Sequence, residues 1–471
     1  MAIKTPLSTK GSQIVDANGN TLLLRGVNWF GMETDLHVPH GLWKRDYKNM
    51  LAQIKNLGYN IIRLPYSVLG LRSSNISGVD FSIGSNRDFV GKTPLEVMDI
   101  IIQEAARKEL LIMLDSHRLN ESTIPELWYG DGFTEADWIN TWKMLAERYE
   151  NQVNVVAADL KNEPHGRASW GTGDLTTDWR LAAERCGNAI LKINQNWLIV
   201  VQGVAKNVPN QELSGHWWGG NLEGVKDTRV RLNIPNKVVY SPHEYGQGVY
   251  DQPWFNEATF PQNLYNRWDK GFFYIAENEI APILIGEFGG KQLDTDSKEG
   301  IWQRQFIDFI KQKNLSFTYW SWNPNSSDTG GILLDDWINI NTVKQQLLST
   351  LLTGEIAPAS LIPAPTTPAP AQLTVEVVIQ AEWNAGFCIN FRVTNQGTIP
   401  IGNWKLNFAL NQAKISQTWN GNFVMQGSNY EVTPVDWAKV IGPGKTVEVG
   451  YCADKLGANY KPEIRGVGSR E

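Results

Sequence analysis

Residues 94–117, PLEVMDIIIQEAARKELLIMLDSH, carry an amphipathic helix pattern straight into an apolar strand pattern. The first part places Val97, Met98, Ile101, Ile102 and Ala105 at the three-and-four spacing of one helix face. The second, LLIMLDSH (110–117), is a nearly continuous hydrophobic run, as expected of a parallel strand covered on both faces. The unit recurs along the chain. Further strand candidates are LLLRGVNWF (22–30), NIIRLPYS (60–67), VVAADLKNE (155–163), WLIVVQGV (197–204), KVVYSPHEY (237–245), PILIGEFG (282–289) and SFTYWSWN (316–323). Helical patterns over 43–58, 135–150, 178–193 and 301–314 separate most of them. Eight strands alternating with helices predict an α/β fold, a (β/α)₈ TIM barrel lengthened by insertions. A doubly wound open sheet is the alternative, but no Gly-rich dinucleotide turn follows any strand.

Downstream the composition changes. Residues 355–372, EIAPASLIPAPTTPAPAQ, are rich in Pro, Ala and Thr with almost no charge. Proline resists both helix and sheet, so this stretch reads as a semi-extended linker. Residues 373–471 then show short alternating patterns between Gly, Asn and Pro turns, with no helical signal. LTVEVVIQAEW, FCINFRVTN, WKLNFAL, ISQTWNGNF and TVEVGYCA read as strands of an all-β sandwich. The expected organisation is therefore a barrel over 1–354, a linker over 355–372 and a β-sandwich module over 373–471. The module holds 9 Lys/Arg and 8 Asp/Glu but no obvious acid/base pair, which suits binding rather than chemistry.

Length and composition exclude several classes. At 471 residues, two folded units are the default. No apolar run is long enough to cross a bilayer. A net charge of −6 argues against nucleic acid as a partner. The opening MAIKTPLSTKGSQIVDANG has no apolar segment of a secretion signal. Cys186 sits in a helical pattern as a small core residue, whereas Cys388 and Cys452 follow aromatics in strand-like runs and can form a disulfide if those strands are neighbours. The 20 tryptophans are the informative excess. About half are expected in cores; the others offer flat faces that stack on sugar rings.

In a barrel of this kind the C-terminal strand ends face the site. Those ends carry Arg63, His117, Asn162 with Glu163, His243 with Tyr245, Glu287 and Trp320. Glu163 and Glu287 close the fourth and seventh strands. Glycoside hydrolysis needs such a pair: an acid to protonate the leaving oxygen and a carboxylate on the other side of the sugar. A strand-end Glu that caps a helix or pairs with Arg accounts for one such residue, but poorly for the set. The two histidines show no metal-ligand spacing, so neither a metal nor a cofactor is expected.

The stretches RGVNWFG (25–31), LGYNIIRLPYS (57–67), LDSHR (114–118), LKNEPHG (160–166), WWGGNL (217–222), YSPHEY (240–245), IGEFGG (285–290) and YWSWNPNSSDTGGILLDDW (319–337) follow in a telling order. In order and spacing they resemble glycoside hydrolase family 5, in its bacterial endoglucanase branch, over almost all of 10–352. The resemblance implies retaining cleavage of internal β-1,4-glucosidic bonds, with Glu163 as acid/base and Glu287 as nucleophile. Arg63 and Tyr245 are expected to steady the nucleophile's charge, Asn162 to bind the sugar 2-hydroxyl, and His117 and His243 to position these groups. Trp320 matches the platform beside the cleaved bond. Trp29, Trp43, Trp217 and Trp218 are further subsite candidates, Trp43 being equally a core residue. Glu33, Asp35 and His37 either contact sugar hydroxyls or are solvated. Family 5 also spans mannanases, xyloglucanases and mixed-linkage glucanases, and a non-catalytic polysaccharide-binding protein is the rival outside the enzyme class. The cysteine pairs that secreted relatives carry in the loops after strands 1, 3 and 4 are missing from METDLHVPHG, RLNESTIPE and RASWGTGDL.

In the module, WNAGFCINFRVTNQGT, GNWKLNF, QTWNGNF and a late Trp before IGPGKTVEVGY resemble the family 2 carbohydrate-binding modules. The resemblance implies three exposed rings, Trp383, Trp419 and Trp437, along a flat sheet face suited to cellulose, with Trp404 in the core. The expected partner is cellulose or a related β-glucan, met outside the cell by a monomer.

Overall fold

A computed structural model describes residues 3–352, 373–397 and 400–469. The stretch read as a linker, 355–372, lies outside the described residues, as does the Trp437 side chain. The chain falls into two compact units.

The first unit opens with a small antiparallel sheet of β1 (Ser8–Lys10), β2 (Gln13–Val15) and β3 (Thr21–Leu22). Strands this short leave no periodicity in a sequence, and none was expected there. The parallel strands follow: β4 (Arg25–Asn28), β5 (Ile61–Ser67), β6 (Leu111–Arg118), β7 (Val155–Asp159), β8 (Leu198–Val201), β9 (Val238–Tyr240), β10 (Leu284–Ile285) and β11 (Ser316–Tyr319). Each lies inside a stretch read as a strand, except that β6 runs one residue further, to Arg118. β11 pairs with β4, and a parallel bridge from Tyr240 to Ile283 joins β9 to β10, so the ring closes. Helices Tyr47–Asn56, Pro94–Arg107, Glu135–Arg148, Trp179–Leu191 and Lys298–Gln312 occupy the helical patterns. Two of them begin with reciprocal capping boxes, Thr93 with Glu96 and Thr134 with Asp137, which satisfy otherwise orphaned N–H groups.

Side chains alternate across each strand, and the alternation sorts the barrel into an apolar end and a polar end. Inward-facing Ile61, Leu111, Met113, Ala157, Leu198, Val200, Val239 and Leu284 pack with Leu7, Ile14 and Leu22 of the N-terminal segment, which plugs the floor. Further along the same faces come Arg63, Asp115, Asp159, Gln202 and Ser241, polar and yet fully buried. The outward-facing Ile62, Leu64, Ile112, Leu114, Ala158 and Ile199 join the larger core beneath the helices. Ten tryptophans of this unit, Trp29 among them, are fully buried there.

The second unit contains β12 (Leu373–Glu382), β13 (Gly386–Asn395), β14 (Ile401–Gly402), β15 (Trp404–Ala409), β16 (Ala413–Trp419), β17 (Gly421–Gln426), β18 (Asn429–Pro434), β19 (Val440–Ile441), β20 (Thr446–Lys455) and β21 (Glu463–Ser469). Two four-stranded sheets, β12-β13-β20-β16 and β17-β18-β15-β21, enclose Phe387, Phe391, Trp404, Phe408, Val432 and Tyr451. ISQTWNGNF, expected as one strand, is split between the sheets. The chain leaves the first at Trp419 and enters the second at Gly421, turning at Asn420 with φ +61°. Cys388 and Cys452 stand opposite each other on β13 and β20 and are disulfide-bonded.

Candidate active site

The polar end of the barrel is organised by one side chain. Arg63 on β5 is fully buried, and its guanidinium fork presents five donors. Nε donates to Asp159, Nη1 to Asn28 Oδ1 and Glu287 Oε1, and Nη2 to Asn162 Oδ1, while Asp115 Oδ2 stands 3.1 Å from Nη2 as an ion-pair partner. Burial alone would lower the Arg63 pKa, but Asp115, Asp159 and Glu287 outweigh it and hold the cation.

Glu287 follows β10 and is buried at 3% exposure. Its Oε1 meets Arg63 Nη1 at 2.5 Å, and its Oε2 accepts from the Tyr245 hydroxyl at 2.6 Å. Glu163 stands beyond β7, close to His243. One carboxylate oxygen from each glutamate and one ring nitrogen of His243 all lie within 4.8 Å of one another. His243 Nδ1 is 3.0 Å from Glu163 Oε1 and 3.5 Å from Glu287 Oε2.

The environments of the two acids differ. Burial raises the Glu163 pKa well above the usual range, and the charge of Glu287 raises it further. Glu287 is also pushed up by burial, but Arg63, His117 and the Tyr245 hydroxyl oppose the shift. The first proton to bind therefore favours Glu163. His243 is held well below its normal pKa by burial and then by Arg63, so it stays neutral between the acids.

Asn162 is oriented from two directions. Its carbonyl accepts from Arg63 at 2.9 Å, and its Nδ2 lies 3.3 Å from His117 Nε2. His117 Nδ1 lies 2.6 Å from Asp115 Oδ2, so Nδ1 carries the proton and Nε2 is left to accept. Burial pushes the His117 pKa down to about 3.

Above these groups lies a groove of about 460 Å³ whose lining includes His117, Glu163, Glu287, Tyr245, Trp217, Trp218 and Trp320. Trp320 runs nearly parallel to Phe30, with centroids 5.1 Å apart, and to His117, at 5.4 Å, and its Nε1–H donates to Ser326. Trp218 is 47% exposed, while Trp217 is buried. Trp43 is only partly buried and packs on His40 and Trp337, outside that lining. Trp29 is a correction: it is fully buried, its Nε1–H donates to the His40 carbonyl, and no sugar reaches it. Glu33 and His37 are likewise occupied by the protein. Glu33 accepts from the Gly31 N–H, and His37 bridges Glu121 and the Asn75 carbonyl. Asp35 is exposed.

Several site residues were not singled out from the sequence: Asn28, Asp115, Asp159, Lys161, His165, Gln202 and Tyr250. Asp115 and Asp159 interrupt apolar runs at inward-facing positions two residues from a neighbouring inward side chain, a signal the period of two could have exposed. Lys161 is buried, donates to the Pro125 and Asn162 carbonyls at 2.7 Å each, and is pushed down to about 7 by burial. Tyr250, 66% exposed, joins the groove lining from a loop whose sequence gives no cue.

In the module, Trp404 is fully buried and donates to the Ala438 carbonyl. Trp383 is 48% exposed. Trp419 is partly buried, its Nε1–H donates to Asn390 Oδ1 at 3.0 Å, and its ring lies over Gly450, where an added Cβ would stand 2.5 Å from the indole.

Comparison with known proteins gives consistent relatives. Residues 15–326 match the family described as Cellulase (glycosyl hydrolase family 5), and residues 373–469 match the Cellulose binding domain. An Endoglucanase of Paenibacillus polymyxa is 50% identical over 359 residues, 76% of this chain and 90% of that protein. The Major extracellular endoglucanase of Xanthomonas campestris pv. campestris is 39% identical over 458 residues, covering 94% of this chain and 93% of the relative. Among solved structures, the hyperthermophilic endocellulase of the archaeon Pyrococcus horikoshii is 42% identical with a TM-score of 0.70, over 74% of this chain and 100% of that one. The catalytic domain of the Xanthomonas enzyme gives 42% identity and a TM-score of 0.69, over 73% of this chain and 99% of that one.

Proposed function

The chain belongs to glycosyl hydrolase family 5, and on that premise we propose that it is a retaining endo-β-1,4-glucanase that cleaves internal bonds of cellulose. It is a glycoside hydrolase with a cellulose binding domain at its C-terminal end.

One observation carries the stereochemistry: Glu163 and Glu287 bring carboxylate oxygens within 4.8 Å of each other. Retaining enzymes hold their carboxyls about 5–5.5 Å apart, and inverting ones leave room for a water. In the reading this supports, Glu287 attacks the anomeric carbon as an ionised nucleophile. Glu163 passes its proton to the glycosidic oxygen as that bond breaks, releasing the leaving chain as an alcohol. The covalent ester removes the negative charge from Glu287, and with it one cause of the raised Glu163 pKa. Glu163, now a carboxylate, takes a proton from water as the water oxygen attacks the anomeric carbon and Glu287 departs. Asn162, with its carbonyl held by Arg63, directs its amide toward the 2-hydroxyl, and Trp320 carries the adjacent ring.

The 1–354, 355–372 and 373–471 organisation, the binding roles of Trp383, Trp419 and Trp437, monomeric action and an extracellular location belong to the same proposal. The Cys388–Cys452 disulfide suits an oxidising compartment. No helix among the described residues is long and apolar enough to cross a membrane.

Proton NMR during hydrolysis of a soluble cello-oligosaccharide tests the scheme. The β-anomer is expected first; initial release of the α-anomer would remove the double displacement. On carboxymethyl-cellulose, viscosity should fall well before reducing ends accumulate, as internal attack requires.

A further inference from the structure

Glu163 occupies a backbone conformation that a non-glycine residue adopts only when its surroundings impose it, with φ +50°. Two side chains hold both sides of that residue. Gln202 Oε1 accepts from the Glu163 N–H at 2.7 Å, and His165 Nδ1 meets the Glu163 carbonyl at 2.7 Å. A carbonyl only accepts, so Nδ1 carries the proton and the imidazole is the donor. His165 is itself buried, and its ring lies flat against Trp218, with centroids 3.6 Å apart and planes 3° from parallel. One face of Trp218 is thus taken by the imidazole, leaving the other for a sugar.

The turn behind Trp218 touches the same segment a second time. Gly219, at φ +73°, lies so close that an added Cβ would stand 3.3 Å from Glu163 Cα and 2.8 Å from Gln202 Oε1. Its N–H donates to the Pro164 carbonyl at 3.3 Å, and its own carbonyl accepts from Gly203 at 2.8 Å.

We propose that His165 is a positioning residue that ties sugar stacking on Trp218 to the geometry of Glu163. This inference rests on reading Glu163 as the acid/base. A sugar on the open face of Trp218 fixes the indole, the indole fixes the imidazole, and the imidazole fixes the main chain from which the carboxyl projects. Trp218 therefore acts in the chemical step as well as in binding. Misplacing a reacting group by about 1 Å can cost about 10²-fold in rate.

Steady-state kinetics on a soluble cello-oligosaccharide separates the parts. His165→Phe keeps a flat ring under Trp218 and removes the donor; its kcat is expected to fall about 10- to 100-fold with KM within about 2-fold. His165→Asn keeps a donor near Nδ1 but has no ring under Trp218, so its kcat should match that of Trp218→Ala and lie above that of His165→Phe; a kcat as high as that of the unaltered enzyme would refute the link through the ring. Trp218→Ala should lower kcat as well as raise KM, and adding it to His165→Phe should reduce kcat no further, as coupled residues require. An unchanged kcat in His165→Phe, or multiplicative losses in the double variant, overturns the inference. Should His165→Phe fail to fold by circular dichroism, the exposed Trp218→Ala decides, and an effect confined to KM refutes the link. Glu163→Gln measured beside these variants tests the underlying assignment separately: near-normal activity there removes the acid/base reading itself.

Discussion

Arg63 Nη1 and Glu287 Oε1 form an ion pair of 2.5 Å, with side-chain exposures of 0% and 4%. The same guanidinium also pairs with Asp115 and Asp159, so one cation organises three buried carboxylates. Lysine would offer a point charge in place of a planar fork. Arg63→Lys is expected to lower kcat by at least about 100-fold and to lower stability by about 3–5 kcal/mol, the usual cost of breaking a buried pair. Urea unfolding checks the second figure. Because the cation holds the Glu287 pKa down, its weakening should also move the acid limb of the rate profile to higher pH.

The two glutamates should fail differently. Glu163→Gln is expected to lower kcat/KM about 10²- to 10⁴-fold on cello-oligosaccharides, and much less on an aryl cellobioside whose leaving group needs no proton, where a burst should precede slow turnover because the second step still lacks its base. Glu287→Gln should abolish turnover on both substrates. It also removes the negative charge beside Glu163, so the Glu163 pKa should fall, as read by carbon-13 NMR of labelled carboxyls. An unmoved titration would mean that burial alone sets it.

His40 supplies a stability test away from the carboxylates. Burial pushes its pKa down to about 4. In the unfolded chain it returns to the usual imidazole value of about 6.5. Between these values the unfolded state binds the extra proton, so stability present at neutral pH is lost as pH falls from about 6.5 toward 4. His40→Asn should remove that slope, visible as a difference in thermal midpoint between the two proteins that changes with pH across this window. A constant difference would contradict it.

Trp383→Ala and Trp419→Ala should each weaken retention on crystalline cellulose severalfold while leaving hydrolysis of soluble oligosaccharides unchanged. Tethering raises the enzyme's local concentration at the surface and adds no catalytic contact. Depletion assays beside soluble-substrate kinetics measure both. Altered turnover on the soluble substrate would assign these rings a different role.

Much of this was legible in the chain. The helix 94–107 and the strand after it follow from apolar spacing alone, and Glu163, Glu287 and Arg63 stand out because strand ends in a barrel converge. What escaped was set by contacts distant in sequence. Trp29 stood among the further subsite candidates because its depth is not visible in the sequence. ISQTWNGNF looked like one strand because its pattern runs through Asn420, where the backbone turns into another sheet.

The order of residues determined the elements, because the apolar periods of two and 3.6 act within a few neighbours. It also determined which side chains have the chemistry for the reaction. Tertiary structure decided their states: that burial and a neighbouring charge raise the Glu163 pKa, that Arg63 reaches Asn28, Asp159, Asn162 and Glu287 at once, and that Trp218 lies flat on His165. Protonation and stacking depend on distances through space between residues far apart along the chain, and these exist only once the barrel has closed.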